Sequence, residues 1–311
     1  MEDRAQNITS MPFLTTARIK AHLWTLPRWF AAPLIAAPVV LGGLLAGGVT
    51  VNTWLGVLAA LLTSAGALSF NSFLDYSWTG LDKGNLQERS AEKDYCGAQS
   101  LIARGIVTPG EAALNAISWY VLGLIPTIYL AINVGWPVLV LMLMGMMITF
   151  WYSWGKFNWT HELSLAVGTA PLPVLIGMYA TSASPPWLTG LIACVPFAII
   201  HSFAGLALDE WPDAQANLEK GVKSIAYKVW ENGISLEWYL SAWFLFMYLY
   251  QVFLISIGIL APLSALSFIS FPMLMGCMVF LKKNFRKVAG ITVLIALSYP
   301  VMLVVGQAIG G

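Results

Sequence analysis

Asn71-Ser-Phe-Leu-Asp75-Tyr-Ser-Trp-Thr-Gly80-Leu-Asp82 begins on the last turns of a long apolar run and ends in polar sequence. Asn71 and Asp75 are four residues apart, so a helix stacks them on one face, one turn above the other. Asp82 follows seven residues after Asp75, beyond a glycine that loosens a helix end. Two carboxylates and an amide are hard oxygen ligands of the kind Mg²⁺ takes. A second acidic cluster, Asp209-Glu-Trp-Pro-Asp213, closes another apolar run far along the chain. Packing alone does not call for acidic clusters at the ends of two apolar runs.

Those runs set the fold class. Of 311 residues, 58% are hydrophobic and only 10% charged, and the mean hydropathy is +0.74. A soluble domain carries roughly 25% charged residues, so the chain reads as a single all-α, polytopic membrane domain over 1–311. Nine apolar stretches have the length a bilayer requires: 29–48, 52–74, 112–132, 136–155, 163–182, 187–208, 236–259, 262–281 and 288–308. The polar segment before them has no short apolar core with a cleavage site and does not read as a signal peptide. Its residues 12–26 fit an interfacial helix with Arg18, Lys20 and His22 on the polar side, ended by Pro27. A formal net charge of +1 leaves no basic excess for nucleic acid. Cys96, Cys194 and Cys277 are scattered, with neither metal spacing nor a disulfide framework, and read as packing residues.

Charge placement tests the count. The 16 Lys and Arg residues fall before the first span or after an even-numbered one: Arg4 to Arg28, Lys83 to Arg104, Lys156, Lys220 to Lys228, and Lys282 to Lys287. The loops near 49, 134, 185 and 261 have none. The positive-inside rule then places the N-terminus, residues 1–28, in the cytoplasm and the C-terminus outside, as an odd number of spans requires. Two inner loops are long, 76–111 and 209–236, and each follows an acidic cluster; long loops in compact domains carry function. Within the first, Thr108-Pro-Gly-Glu111 is a capping box with Pro at the first helical position.

Three constellations therefore lie at one membrane face: Asn71, Asp75 and Asp82; Tyr152 and Lys156; Asp209, Asp213 and Asn217. Ionisable groups at the ends of membrane helices are costly unless paired or wetted, which makes them functional candidates rather than an interfacial rim. Gathered carboxylates repel one another until cations neutralise them. Mg²⁺ is commonly held by one or two carboxylates plus substrate phosphates, and Lys83, Arg89, Lys93, Lys156 and Lys223 are placed for the remaining oxygens of a diphosphate. An apolar bundle opening onto a diphosphate site points to a lipid diphosphate, its head at the face and its tail in the bilayer.

The order Asn-x-x-x-Asp, Tyr-x-x-x-Lys and a second Asp motif resembles the UbiA superfamily of membrane prenyltransferases over nearly the whole chain. Asn71-x-x-x-Asp75-Tyr-x-x-x-Gly80-x-Asp82, Arg104-Gly-Ile-Val-Thr-Pro, His161-Glu162 and Gly221-Val-Lys223-Ser look most like its menaquinone-pathway, MenA-like (dihydroxynaphthoate prenyltransferase) branch. The resemblance implies nine helices around a central cavity, capped on the cytoplasmic side by the two long loops. It also implies Mg²⁺-dependent ionisation of a prenyl diphosphate and attack by an aromatic, quinone-precursor-like acceptor, with Asp75, Asp213, Tyr152 and Lys156 as catalytic residues. Two features depart from that branch. Asp75 and Asp82 stand one residue further apart, and the second cluster reads Asp209, Asp213, Asn217 where Asn, Asp, Asp is common.

Other readings stay open on sequence. The same ionisation without an acceptor gives a terpene cyclase. A secondary transporter would place its polar groups near the midplane between broken helices. Glu162 is placed to orient an acceptor, act as a base, or cap a helix, and His201, inside the sixth span, reads as a satisfied core histidine.

Overall fold

A computed structural model describes residues 15–81, 101–281 and 285–311, and the side chains of Asp213, Ala216, 277–289 and Thr292 are outside the description. Among the described residues there are helices and no strands. The N-terminal α1 (Thr16–Lys20) continues as a π-helical turn to Thr25. The bundle is α2 (Ala32–Leu45), α3 (Val51–Ser77), α4 (Pro109–Asn133), α5 (Pro137–Gly155), α6 (His161–Thr169), α7 (Pro171–Thr181), α8 (Trp187–Ala193) and α9 (Val195–Ala198). A π-helical stretch, Ile199–Leu206, joins α9 to α10 (Ala207–Glu210); α11 (Ala214–Glu219) and α12 (Ile225–Glu231) follow in the second long loop. The chain closes with α13 (Leu236–Ser256), a 3-10 helix Pro262–Ser270 running into α14 (Phe271–Leu281), and α15 (Phe285–Gly310).

Helix covers each of the nine apolar stretches, but seven described helical segments are long and apolar enough to cross a bilayer, with Thr16–Leu45 and His161–Thr181 each taken as one span. An eighth crossing comes from α8 and Val195–Glu210 together, which bend by 40° at their junction. The stretch read as span five is broken at Ala170, where Pro171 and Pro173 withhold two backbone donors. The helix Pro262–Gly276 is apolar but shorter.

Small residues decide how the spans pack, because lipid supplies no hydrophobic drive between helices. A Cβ at Gly42 would stand 2.0 Å from the Val174 carbonyl oxygen, and one at Gly177 would stand 1.8 Å from that of Val39, so α2 and α7 touch backbone to backbone. Gly66 seats the Tyr120 ring where α3 meets α4, and Gly306 lies against the Leu263 carbonyl. At the start of α3, Thr50 and Thr53 form a capping box, and Thr53 reaches Thr181 at the end of α7 at 2.8 Å. Thr108 and Glu111 form the capping box expected at the start of α4. Glu111 also pairs with Arg18. Ala21 and Leu26 pack with Leu101, Ile102, Val107 and Ala112, so the N-terminal segment is docked on the start of α4.

The C-terminal ends of α3, α5 and α10 and the N-terminal end of α6 meet at one end of the bundle. Beneath them α2, α3, α5, α6 and α7 enclose an apolar cavity of about 130 Å³.

Candidate active site

The site is built on the last turns of α3 and α5. Asn71 and Asp75 are buried and stacked as their spacing requires, with Asn71 Nδ2 donating to Asp75 Oδ2 at 3.0 Å. Lys156, buried at the end of α5, donates its ammonium to the same oxygen at 2.7 Å. A buried carboxylate and ammonium at this range hold each other in place of water. Asp75 Oδ1 is also buried and has no hydrogen-bond partner among the described residues. Ser153 Oγ lies 3.5 Å from Asn71 Oδ1. The Lys156 ammonium sits 4.9 Å from the centre of the Tyr152 ring, so the Tyr-x-x-x-Lys pair is held by a cation–π contact as well as by helix spacing.

Tyr152 links the two halves of the site. On one side it carries Lys156; on the other its ring meets that of His161 edge-on at 5.7 Å. The charges that act on its hydroxyl are those of Glu210, Asp75, Asp209 and Arg28. His161, fully buried, stands between two carboxylates, with Nε2 3.1 Å from Glu210 Oε1 and Nδ1 3.2 Å from Glu162 Oε2. Glu210 therefore ties the second acidic cluster to the start of α6. Its neighbour Asp209 lies about 100° further round the helix by the 3.6-residue turn and is only partly buried.

Glu162 is settled by its contacts. Its Oε1 accepts the Ile225 N–H at 2.5 Å, at the first turn of α12, and its backbone carbonyl accepts from Ser202. It caps a helix, but the helix is α12 and not its own. The Lys223 N–H donates to the Lys156 carbonyl at 2.6 Å, so residues 223–225 are pinned to the α5–α6 corner. The Lys223 side chain is exposed. His201 is buried, stacks on Phe197 at 6.3 Å, and finds no hydrogen-bond partner for either ring nitrogen among the described residues. It is a buried core histidine. Its ring lies by Thr169, whose carbonyl Pro173 cannot serve in a continuous helix.

Of the residues expected at the site, the fold brings Asn71, Asp75, Tyr152, Lys156 and Asp209 together. Asn217 is partly buried in α11, with its backbone carbonyl accepting from Lys220 and Val222. Asp82, Lys83, Arg89 and Lys93 lie outside the described residues, as does the side chain of Asp213. Sequence reasoning gave no role to Glu210 and Arg28. Glu210 had a visible signal, because it sits inside an acidic cluster one residue from Asp209. Arg28 had none beyond its charge. It holds a left-handed backbone, φ 52° and ψ 53°, just before α2, and its guanidinium Nε and Nη2 are buried without hydrogen-bond partners among the described residues. A non-glycine residue in that conformation costs roughly 1–3 kcal/mol and persists where the surroundings enforce it.

The fold is that of a helical membrane protein, with ionisable groups gathered at one end of an apolar cavity. The chain matches the model of the UbiA prenyltransferase family over residues 35–297 and belongs to that family. It is a multi-pass membrane prenyltransferase. Curated proteins give no significant match. Solved structures match the fold at 14% sequence identity. A UbiA homologue from Aeropyrum pernix K1 without ligand matches with a TM-score of 0.67, covering 89% of this chain and 97% of its own. Digeranylgeranylglyceryl phosphate synthase matches with a TM-score of 0.60 over 94% and 99%. A UbiA homologue from Archaeoglobus fulgidus bound to DMAPP and Mg²⁺ matches with a TM-score of 0.52 over 90% and 98%.

Proposed function

We propose that this protein transfers a prenyl group from a prenyl diphosphate to an aromatic, quinone-precursor-like acceptor, with Mg²⁺ on the diphosphate. The observation that carries the reading is Asp75: a buried carboxylate with one oxygen on Lys156 and Asn71 and the other free, directly above an apolar cavity. A free buried carboxylate oxygen is costly unless a cation meets it, so Asp75 fits a divalent-metal site. Asn71, Asp82, Asp209, Asp213 and Asn217 complete the set of hard oxygen donors that would hold such ions. A divalent ion held by these residues would supply positive charge to offset that of the departing diphosphate.

The chain's own residues do the rest. Lys156, and with it Lys83, Arg89, Lys93 and Lys223, bind diphosphate oxygens, and the buried guanidinium of Arg28 adds a further donor. Tyr152 offers its hydroxyl between the two acidic clusters, where a leaving oxygen would stand. The bond between the prenyl carbon and the diphosphate oxygen breaks, a bond from that carbon to the acceptor ring forms, and the ring proton passes to the released diphosphate. The apolar cavity keeps water from the allylic cation. One neighbour in fold, the UbiA homologue from Archaeoglobus fulgidus, holds DMAPP and Mg²⁺, which supports this reading.

The finer topology belongs to the same proposal: nine crossings, the N-terminus and the site facing the cytoplasm, the two long loops as its cap, and the C-terminus outside. Labelling of a cysteine at position 283 from outside intact cells would overturn that orientation. For the reaction, purified protein is incubated with prenyl diphosphates, with and without dihydroxynaphthoate-like acceptors, with Mg²⁺ or with EDTA. Prenylated acceptor and released diphosphate, both lost in EDTA, are expected. Cyclised hydrocarbon without acceptor would replace the transferase reading by a cyclase, and no diphosphate release from any donor would end both.

A further inference from the structure

The cavity lies on the same helical faces as the site. On α5 the sequence Gly145, Ile148, Tyr152, Lys156 steps by three or four residues, as does Ser64, Leu68, Asn71, Asp75 on α3. The deeper members of each set line the cavity and the upper ones form the site. At 1.5 Å per residue, Ile148 is roughly 12 Å below Lys156, Gly145 roughly 16 Å and Met142 roughly 21 Å. The floor is tight: Met142, Ala60 and Ile176 are buried in one packed cluster.

A second apolar groove, of about 390 Å³, runs on the outer side of α5 and α6, lined by Leu143, Met144, Met147 and Val167 among others. Leu143, Met144 and Met147 are exposed, which in a membrane protein means they face lipid. Ile148 lines both spaces. It is lodged on Gly168, where an added Cβ would stand 2.9 Å from Ile148 Cγ2, so this one side chain closes the seam between α5 and α6. Gly145 is the opposite case. A Cβ there would meet nothing nearer than Thr63 Cγ2 at 4.0 Å, so its place in the wall is open.

We propose that Ile148 and Gly145 set the length of the prenyl donor: Gly145 leaves the depth a tail needs, and Ile148 is the partition that keeps the tail in the cavity and out of the bilayer. This rests on the prenyl-transfer reading. A tail that outruns the floor has one thin wall to pass, the Ile148 side chain, and beyond it lies a groove already apolar and open to lipid.

The experiment measures kcat/KM for diphosphate release by the full chain in lipid nanodiscs, with donors of stepwise increasing length from the five-carbon one upward. In a hydrophobic pocket a change of one methylene is worth about 10- to 200-fold. Gly145→Leu should therefore lower kcat/KM at least about tenfold for the longest donor the native protein uses and leave the five-carbon donor unchanged. Ile148→Ala should move the upper limit to longer donors. Retained five-carbon turnover shows that each variant is folded. An unchanged ratio of long- to short-donor turnover in Ile148→Ala overturns the proposal, and so does the same result in Gly145→Leu. If Gly145→Leu loses every donor, Ile148→Ala alone decides. If the native protein releases diphosphate from no donor, the transfer reading itself has failed.

Discussion

The bundle buries two polar networks, and they are built on different terms. At the site end, the network is built of ionisable groups: Asp75 with Lys156, and His161 between Glu162 and Glu210. At the far end, Gln251 on α13 is fully buried and neutral. Its amide donates to the Ser264 carbonyl at 2.9 Å and to Ser267 Oγ at 2.8 Å, and its oxygen accepts from Tyr299 at 2.8 Å. Ser264, Ser267 and Ser270 recur every third residue, and in the 3-10 helix that spacing puts them on one edge, facing Gln251 and Tyr248. Gln307 closes the same end by accepting from the Ala261 N–H at 2.7 Å. Every polar atom of the Gln251 side chain is used, and the Ser264 hydroxyl is the one loose end. The network at the site end instead leaves an Asp75 oxygen, and two nitrogens of Arg28, without a hydrogen-bond partner among the described residues. Charges cost more than amides inside a membrane, so they persist where a ligand completes them, while a closed neutral network acts as glue between helices.

Substitutions break this contrast in order of effect. Asp75→Asn removes the proposed metal ligand and the charged partner of Lys156 together. Two charge-assisted interactions at roughly 1.5–3 kcal/mol each give a fall in kcat of about 100-fold or more, read from steady-state turnover with saturating Mg²⁺. Near-native turnover in that variant would refute the site. Lys156→Ala removes one such interaction, about 10- to 150-fold in kcat/KM. Lys156→Arg should rescue little, since a planar fork does not replace a compact ammonium under the Tyr152 ring. Full activity in both Lys156→Ala and Tyr152→Phe would make the pair an interfacial rim. Gln251→Leu should leave kcat/KM unchanged. It strands the Tyr299 hydroxyl, at a cost of roughly 1–3 kcal/mol in stability, seen as a lower Tm in detergent. A loss of turnover without a loss of Tm would show that the two networks are coupled.

Much of this was legible in the chain. The nine apolar stretches are all helical, because a bilayer demands length and internal hydrogen bonding and both show in hydropathy. The capping box at Thr108 and Glu111 and the stacking of Asn71 on Asp75 follow from local spacing alone. The break at Ala170 was also written, in Pro171 and Pro173, though an apolar count passes over it. The N-terminal segment was read by its amphipathic pattern as interfacial, and its docking on α4 through Arg18 and Glu111 joins residues 93 positions apart.

By itself, then, the sequence determined a polytopic helical membrane protein, the end of the bundle where its ionisable groups gather, and the residue types that chemistry needs there. Only the tertiary structure decided that Lys156 meets Asp75, that Glu210 turns to His161 while Asp209 stays partly exposed, that Glu162 caps α12, and that Ile148 lines both cavity and groove. The physical reason is rotational. Hydropathy fixes where a helix starts and stops, but the direction each side chain takes depends on the phase of the helix about its axis. That phase is set by breaks, by the π-helical stretch before Asp209, and by glycines that let neighbouring backbones touch.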